Sequence, residues 1–210
     1  MKAQKLILIG GGGHCKSVIE AIQFNENIEL TGILDPVAKG SIMGIPVIGD
    51  DSLLESLIAS GHHFLITVGQ IGSPALRQEL YKKVKHLKGR LVTLVTDSAV
   101  AADSANIGEG TCVMQHSLIN AEAVIGSNCI INTKALIEHE VRIGDHTHVS
   151  TGAIINGQCR IGSGCFIGSG AVIANNVTIA NDVIIGAGSV VMKDITEAGT
   201  WFGNPAGKQK

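Results

Sequence analysis

From Ile107 to Val191 an aliphatic residue returns at every sixth position, fifteen times in succession. Four places after each stands a small or aliphatic residue, among them Ala123, Cys129, Ala135, Ala153 and Ala171. A helix face recurs at 3.6 residues and drifts out of phase with such a pattern within two turns. A six-residue period is one flat side of a parallel β-helix. Three hexads close an 18-residue triangular coil, and the aliphatic positions stack into three internal ladders. The frame extends backwards through Ala101 and Val95. Seventeen hexads predict about five and a half coils.

The first ninety residues follow a different rhythm. "KLILIGGGGHCKSVIEAI" reads as a buried strand, a glycine loop and a helix with Val18, Ile19 and Ile22 on one face. A second strand, "IELTGILD", ends in Asp35 and precedes a "GIPVIGD" segment at 44–50. A helix from about Ser52, a third strand "FLITVG" ending at Gly69 and a helix from Pro74 to about Lys85 complete the series. The fold class expected is therefore a small Rossmann-like parallel βαβαβ domain over 1–90, followed by a parallel β-helix with a tail over 91–210. Glycines before a helix start let backbone amides approach a phosphate. Gly10-Gly11-Gly12-Gly13-His14-Cys15 lacks the third glycine of a dinucleotide fingerprint, so NAD is not indicated.

Charge and composition narrow the partners. A net charge of -2 over 210 residues, with 3% aromatic content, gives no basic stripe for nucleic acid. The longest apolar runs fall far short of the roughly 20 residues of a membrane span, which predicts a soluble, cytoplasmic protein. Five cysteines with no CxxC pair read as small buried side chains.

The densest chemistry lies in "IEHEVRIGDHTHV", residues 137–149. Zinc ligands on one face of a prism should recur at multiples of 18. His116, His139, His146 and His148 do not, so no metal is expected. Glu138, Asp145 and His146 read as solvent-facing decoration. His139 followed by Glu140 fits a general base whose carboxylate holds one ring nitrogen as N–H. Adjacent residues of a straight strand face opposite ways, so this pair needs a bend, as at a prism corner.

Taken together, G-x-G-G-H after the first strand, the Asp-ended second strand, "G-x-P-V-x-G", "I-x-V-G" and the hexads resemble the sugar O- and N-acyltransferases of the sialic acid and bacillosamine type. The resemblance implies a left-handed β-helix, a homotrimer with sites between subunits, and acetyl-CoA as donor. It implies sugar-nucleotide contacts at Gly12, Gly13, His14, Asp35 and Gly69, although Pro36 stands where a second polar contact is common. The motif E-H-[DE]-x-x-I-G-x-x-x-H-[VI]-[SA] places the base at His139 with Glu140 beside it, and a coenzyme contact at His148. Further coenzyme contacts are implied around Ser169 and Ala187. The tail resembles a G-x-P-A-[KR] ending, with Gly207 at the basic position and Lys208 after it. The expected reaction is N-acetylation of the 4-amine of a UDP-4-amino-4,6-dideoxy sugar. O-acetylation of sialic acid or a related sugar, and a noncatalytic sugar-nucleotide-binding role, are the alternatives.

Overall fold

The computed structural model describes residues 3–23 and 25–209. The chain divides into two units, one of Met1–Gly69 with Ala75–Val92, the other of Gln70–Pro74 with Thr93–Lys210.

In the first unit the apolar runs form β1 (Gln4–Ile9), β2 (Ile28–Leu34) and β5 (His63–Ile66), with α1 (Gly13–Ile22), α2 (Leu54–Ala59) and α3 (Ala75–His86) between or after them. The third expected strand stops at Ile66, three residues early. Beyond it the chain turns under Arg77, a buried side chain whose guanidinium donates to the carbonyls of Ile66 and Val68 at 2.8 and 2.7 Å. The "GIPVIGD" segment, unassigned from sequence, adds β4 (Ile45–Gly49) parallel to β2, edged by an antiparallel β3 (Ser41–Ile42). The sheet order is β3-β4-β2-β1-β5. Its core joins Ile7, Ile9, Leu34, Phe64 and Ile66 with Leu54, Leu80 and Val84 from the helices. Pro46 causes no conflict, because it lies near the start of β4, paired with Ser41 of β3, and the pairing with β2 begins only at Val47.

In the second unit each hexad contributes a two-residue strand, and strands 18 residues apart pair in parallel register. Ile119, Ile137, Ile155, Ile173 and Val191 form one internal ladder. Val113, Ile131, Val149, Ile167 and Ile185 form the second. Ile107, Ile125, Ile143, Ile161 and Ile179 form the third. The small residue two places before each rung also faces inward: Ala135, Ala153 and Ala171 are buried. Cys129, Cys159 and Cys165 occupy the same kind of position, and burial pushes the Cys165 thiol up to about 11, which suits an inert packing role.

The corners have their own rule. From Gly110 to Gly188 every sixth residue has positive φ, including Glu140 at 60° and Gln158 at 63°. This left-handed residue turns the chain by one side of the triangle, and Gly or Asn is the least costly occupant.

The three outer sides differ in chemistry. One presents Val100, Leu118, Leu136, Ile154, Val172 and Val190 as a continuous aliphatic stripe. Val100 and Leu118 are 59% and 36% exposed. A second side presents Val124, Arg142, Arg160 and Thr178. The third carries Ile130, His148 and Phe166. After the last coil, a short hairpin of Gly199–Gly203 and Ala206–Lys208 ends the chain, and Lys208 pairs with Glu197 at 2.8 Å.

Candidate active site

The first unit contains a cavity of about 410 Å³ above the ends of β1, β2 and β5, within the usual size range of small-ligand pockets. Its wall includes Gly10, Gly11, Gly12, Asp35, Pro36 and Gly69. Gly10 is required by backbone geometry: its φ is +107°, and a Cβ there would lie 2.5 Å from a Val68 methyl. Gly12 and Gly13 have open space where a Cβ would stand, so the start of α1 is bare backbone. Of the five residues expected to touch a sugar nucleotide, Gly12, Asp35 and Gly69 line this cavity. Gly13 follows immediately as the first residue of α1, and His14, half-buried, is not part of the lining.

Asp35 also organises the loops. Its Oδ2 accepts the Gly11 N–H at 2.7 Å, and its Oδ1 accepts those of Val37 and Ala38 at 2.9 and 2.8 Å. Partial burial pushes the carboxyl up, but these three amides outweigh it and hold it below the ordinary aspartate range. A lowered folded-state value stabilises the fold above the unfolded pKa, and that contribution is lost as pH falls through the folded one. Asp35→Asn is therefore expected to lower thermal stability at neutral pH and to flatten its decline below pH 4; equal pH dependence in both proteins counts against this role.

In the second unit, the bend required for His139 and Glu140 to meet is present. The positive φ of Glu140 turns its side chain alongside the preceding one, and His139 Nδ1 lies 3.1 Å from Glu140 Oε2. A carboxylate oxygen only accepts, so the neutral imidazole carries its proton on Nδ1 and leaves the lone pair on Nε2. Both side chains are about half exposed, at 51% and 48%. The ring lies over Gly157, one coil on; a Cβ there would come within 2.6 Å of Nε2. Glu140 Oε2 also accepts from Gln158 Nε2 at 3.0 Å. Hydrogen bonds from Gln158 and then His139 hold this carboxyl below the usual glutamate range, so it stays an acceptor. Beside the pair runs a polar groove of about 350 Å³ lined by Glu122, Glu140, Arg142, Gln158 and Arg160.

The other histidines of the stretch point elsewhere. His148 is buried, with Nδ1 donating to the Gln70 carbonyl at 2.6 Å and Nε2 3.2 Å from Asn132 Nδ2. Its ring meets Phe166 edge-on at 5.2 Å. Both nitrogens are thus engaged within the chain, and contact with a coenzyme through either one requires a partner to leave. His146 pairs with Asn128 at the corner before the His148 strand. Within the chain, His139, His146 and His148 thus lie on two corners and a side and do not converge. Glu138 and Asp145, read from sequence as decoration, bind neighbouring coils: Glu138 accepts from Asn120 at 2.9 Å and Asp145 from the Ser127 N–H at 2.7 Å.

Ser169 and Ala187 are exposed and stand 18 residues apart on one corner, stacked on successive coils. Among the described residues, neither N–H has a hydrogen-bond acceptor. Ser169 Oγ lies 2.9 Å from Ser150 Oγ. This corner and the His139 corner bound opposite edges of the aliphatic side.

The comparisons with known proteins agree with this architecture. Residues 5–84 match the PglD N-terminal domain family, and residues 95–199 match the GMPPB C-terminal domain family. UDP-N-acetylbacillosamine N-acetyltransferase of Bacillus subtilis is 34% identical over 114 residues, 53% of this chain; the match spans about half of that relative, 51% of its length. The acetyltransferase domain of PglB from Neisseria gonorrhoeae, solved with acetyl coenzyme A, superposes with a TM-score of 0.94 at 33% identity, covering 99% of this chain and 100% of that one. PerB from Caulobacter crescentus, solved with CoA and GDP-perosamine, gives a TM-score of 0.91 at 34% identity over 100% of this chain and 99% of that one. The chain belongs to the hexapeptide-repeat sugar acyltransferases, the family in which a small α/β domain precedes a left-handed parallel β-helix.

Proposed function

We propose that this protein transfers the acetyl group of acetyl-CoA to the 4-amine of a UDP-4-amino-4,6-dideoxy sugar, with His139 as general base. The observation that carries the reading is the His139–Glu140 pair, whose second nitrogen keeps a free lone pair at an exposed corner. The neutral amine attacks the thioester carbonyl, a C–N bond forms, and Nε2 accepts the proton released from nitrogen. Collapse of the adduct breaks the C–S bond, and the proton passes to the departing CoA sulfur. Glu140, kept ionised, stabilises the imidazolium between these two transfers.

The glycine-lined cavity suits the nucleotide end of the acceptor: bare amides at the start of α1 bind diphosphate, as in other helix-start anion sites. The free amides of Ser169 and Ala187 suit the pantetheine carbonyls. His148, with both ring nitrogens committed, supports the coenzyme side by fixing the Gln70 and Asn132 positions around it. The protein assembles as a homotrimer in the cytoplasm. The aliphatic stripe from Val100 to Val190 is the surface to be covered, since an apolar face of this length is unusual on a monomer. Packing it would bring the His139 corner of one chain towards the Ser169–Ala187 corner of another.

The test mixes purified protein with acetyl-CoA and either a UDP-4-amino sugar, a GDP-4-amino sugar or free sialic acid, while CoA thiol release is followed. Release with the UDP-amino sugar and a sedimenting mass three times the 21.8 kDa chain are expected. Release only with the GDP-sugar corrects the nucleotide, release only with sialic acid replaces N- by O-acetylation, and release with none leaves a binding protein.

A further inference from the structure

We infer that Gln158 is a positioning residue of the His139–Glu140 pair, setting the orientation of the carboxylate and through it the tautomer of the base. The inference rests on the functional reading above for its kinetic arm only. Three observations support it. Gln158 stands 18 residues after Glu140, so parallel coil pairing places it directly over that corner, and its own φ of 63° repeats the bend that turns Glu140 outward. Its Nε2 donates to Oε2, the same oxygen that accepts from His139 Nδ1, at 3.0 and 3.1 Å respectively. And the residue before it, Gly157, is the one that leaves room for the His139 ring. One dipeptide on the next coil thus fits both members of the pair.

The need for such a partner is physical. Glu140 is half exposed on a corner, and a side chain with three rotatable bonds in water spreads over several rotamers. A hydrogen bond to the imidazole alone would leave it free to swing. A second donor at a fixed height on a rigid coil selects one rotamer, and a neutral amide does so without charge. The charged groups facing Glu140 are otherwise His139 on its own corner, Glu122 on the coil before, and Arg142 and Arg160 in the groove floor. Neither arginine forms an ion pair with it among the described residues. Among the described residues, Gln158 is the group of the next coil that holds the carboxylate.

The experiment compares Gln158→Leu and Gln158→Glu in the full chain. For Gln158→Leu, kcat should fall roughly 10-fold, the size expected for loss of an outer partner of a reacting group, with KM for both substrates within about twofold. ¹⁵N spectra of histidine-labelled protein should show His139 moving from the Nδ1–H form to a mixture of tautomers. For Gln158→Glu, which matches the shape but adds a negative charge one coil away, the imidazolium is stabilised. The base is then neutral only at higher pH, so the acid limb of the kcat/KM profile should move up. A merely structural glutamine leaves the tautomer unmoved in Gln158→Leu, so that arm separates positioning from the simple proximity that the limb in Gln158→Glu reads. An unchanged Nδ1–H signal in Gln158→Leu, or an unmoved acid limb in Gln158→Glu, overturns the inference. The tautomer signal needs no turnover, so it still judges Gln158 if the His139 base assignment itself fails.

Discussion

His139→Ala is expected to lower turnover ~10²-fold or more while leaving KM for both substrates close to that of the unchanged protein. The direction follows from where the residue stands. Nε2 is the one nitrogen of the pair with a lone pair to offer, and the nearby groove contributes carboxylates, arginines and amides, none with the proton affinity of imidazole at neutral pH. The fold should survive the change. The side chain is 51% exposed, and the rung that supports this corner is Ile137, which the substitution does not touch. Loss of activity with an unchanged melting temperature is therefore the expected pairing, measured by thiol release and thermal unfolding on one preparation. Near-normal turnover would falsify the assignment of His139 as base.

The β-helix was legible because its core is written in single positions. An inward rung tolerates only an aliphatic residue, so the period of six survives in the sequence from Ile107 to Val191 and predicts each pairing at 18 residues. The corner rule is written more faintly. Gly, Asn and Asp occupy many left-handed positions, but His116, Glu122, Lys134, Glu140, His146 and Gln158 occupy others, and at Lys134, Glu140, His146 and Gln158 the N–H is held by a carbonyl of the coil before. The 18-residue ruler would have found Gly157 and Gln158 had it been applied to the polar residues as well as the apolar ones. No ruler finds Gln70. Its carbonyl takes the His148 proton from a segment 78 residues away in sequence, so the engagement of both His148 nitrogens is a tertiary fact.

The α/β domain was legible in its strands and less so in its edges. β1 is a run of buried aliphatics and β2 ends in one at Ile33 and Leu34, and both pair in parallel, β1 lying between β2 and β5. β4 was missed because its pattern is short and contains Pro46, which argues against a central strand. Asp35 illustrates a different gap. Sequence placed it at a strand end and the resemblance made it a sugar-nucleotide contact, while the structure adds that three amides from two loops converge on it, which only the folded backbone can reveal.

Gly157→Ala is expected to cost about as much activity as a misplaced base costs, ~10²-fold, with little change in stability. Gly157 is buried beneath the imidazole and its φ is not positive, so alanine can adopt the backbone without strain. What alanine cannot do is share the space. Its Cβ would lie 2.6 Å from His139 Nε2 and 2.7 Å from Cε1, well inside contact distance. The two ways out differ in cost. At Gly144 the equivalent obstacle is the backbone of the next coil, with Ser163 N at 2.6 Å, and a rigid coil must give way. At Gly157 the obstacle is a half-exposed side chain, which can swing into solvent at small cost to the fold, within about 0.5 kcal/mol. The ring that swings carries the base away from the attacking amine, and its bond to Glu140 stretches or breaks. Turnover should therefore fall while the unfolding midpoint holds. Normal turnover with normal stability would mean that the ring position over Gly157 is not the one used in the reaction, and a large loss of stability would mean that His139 is held at this corner far more rigidly than its exposure implies.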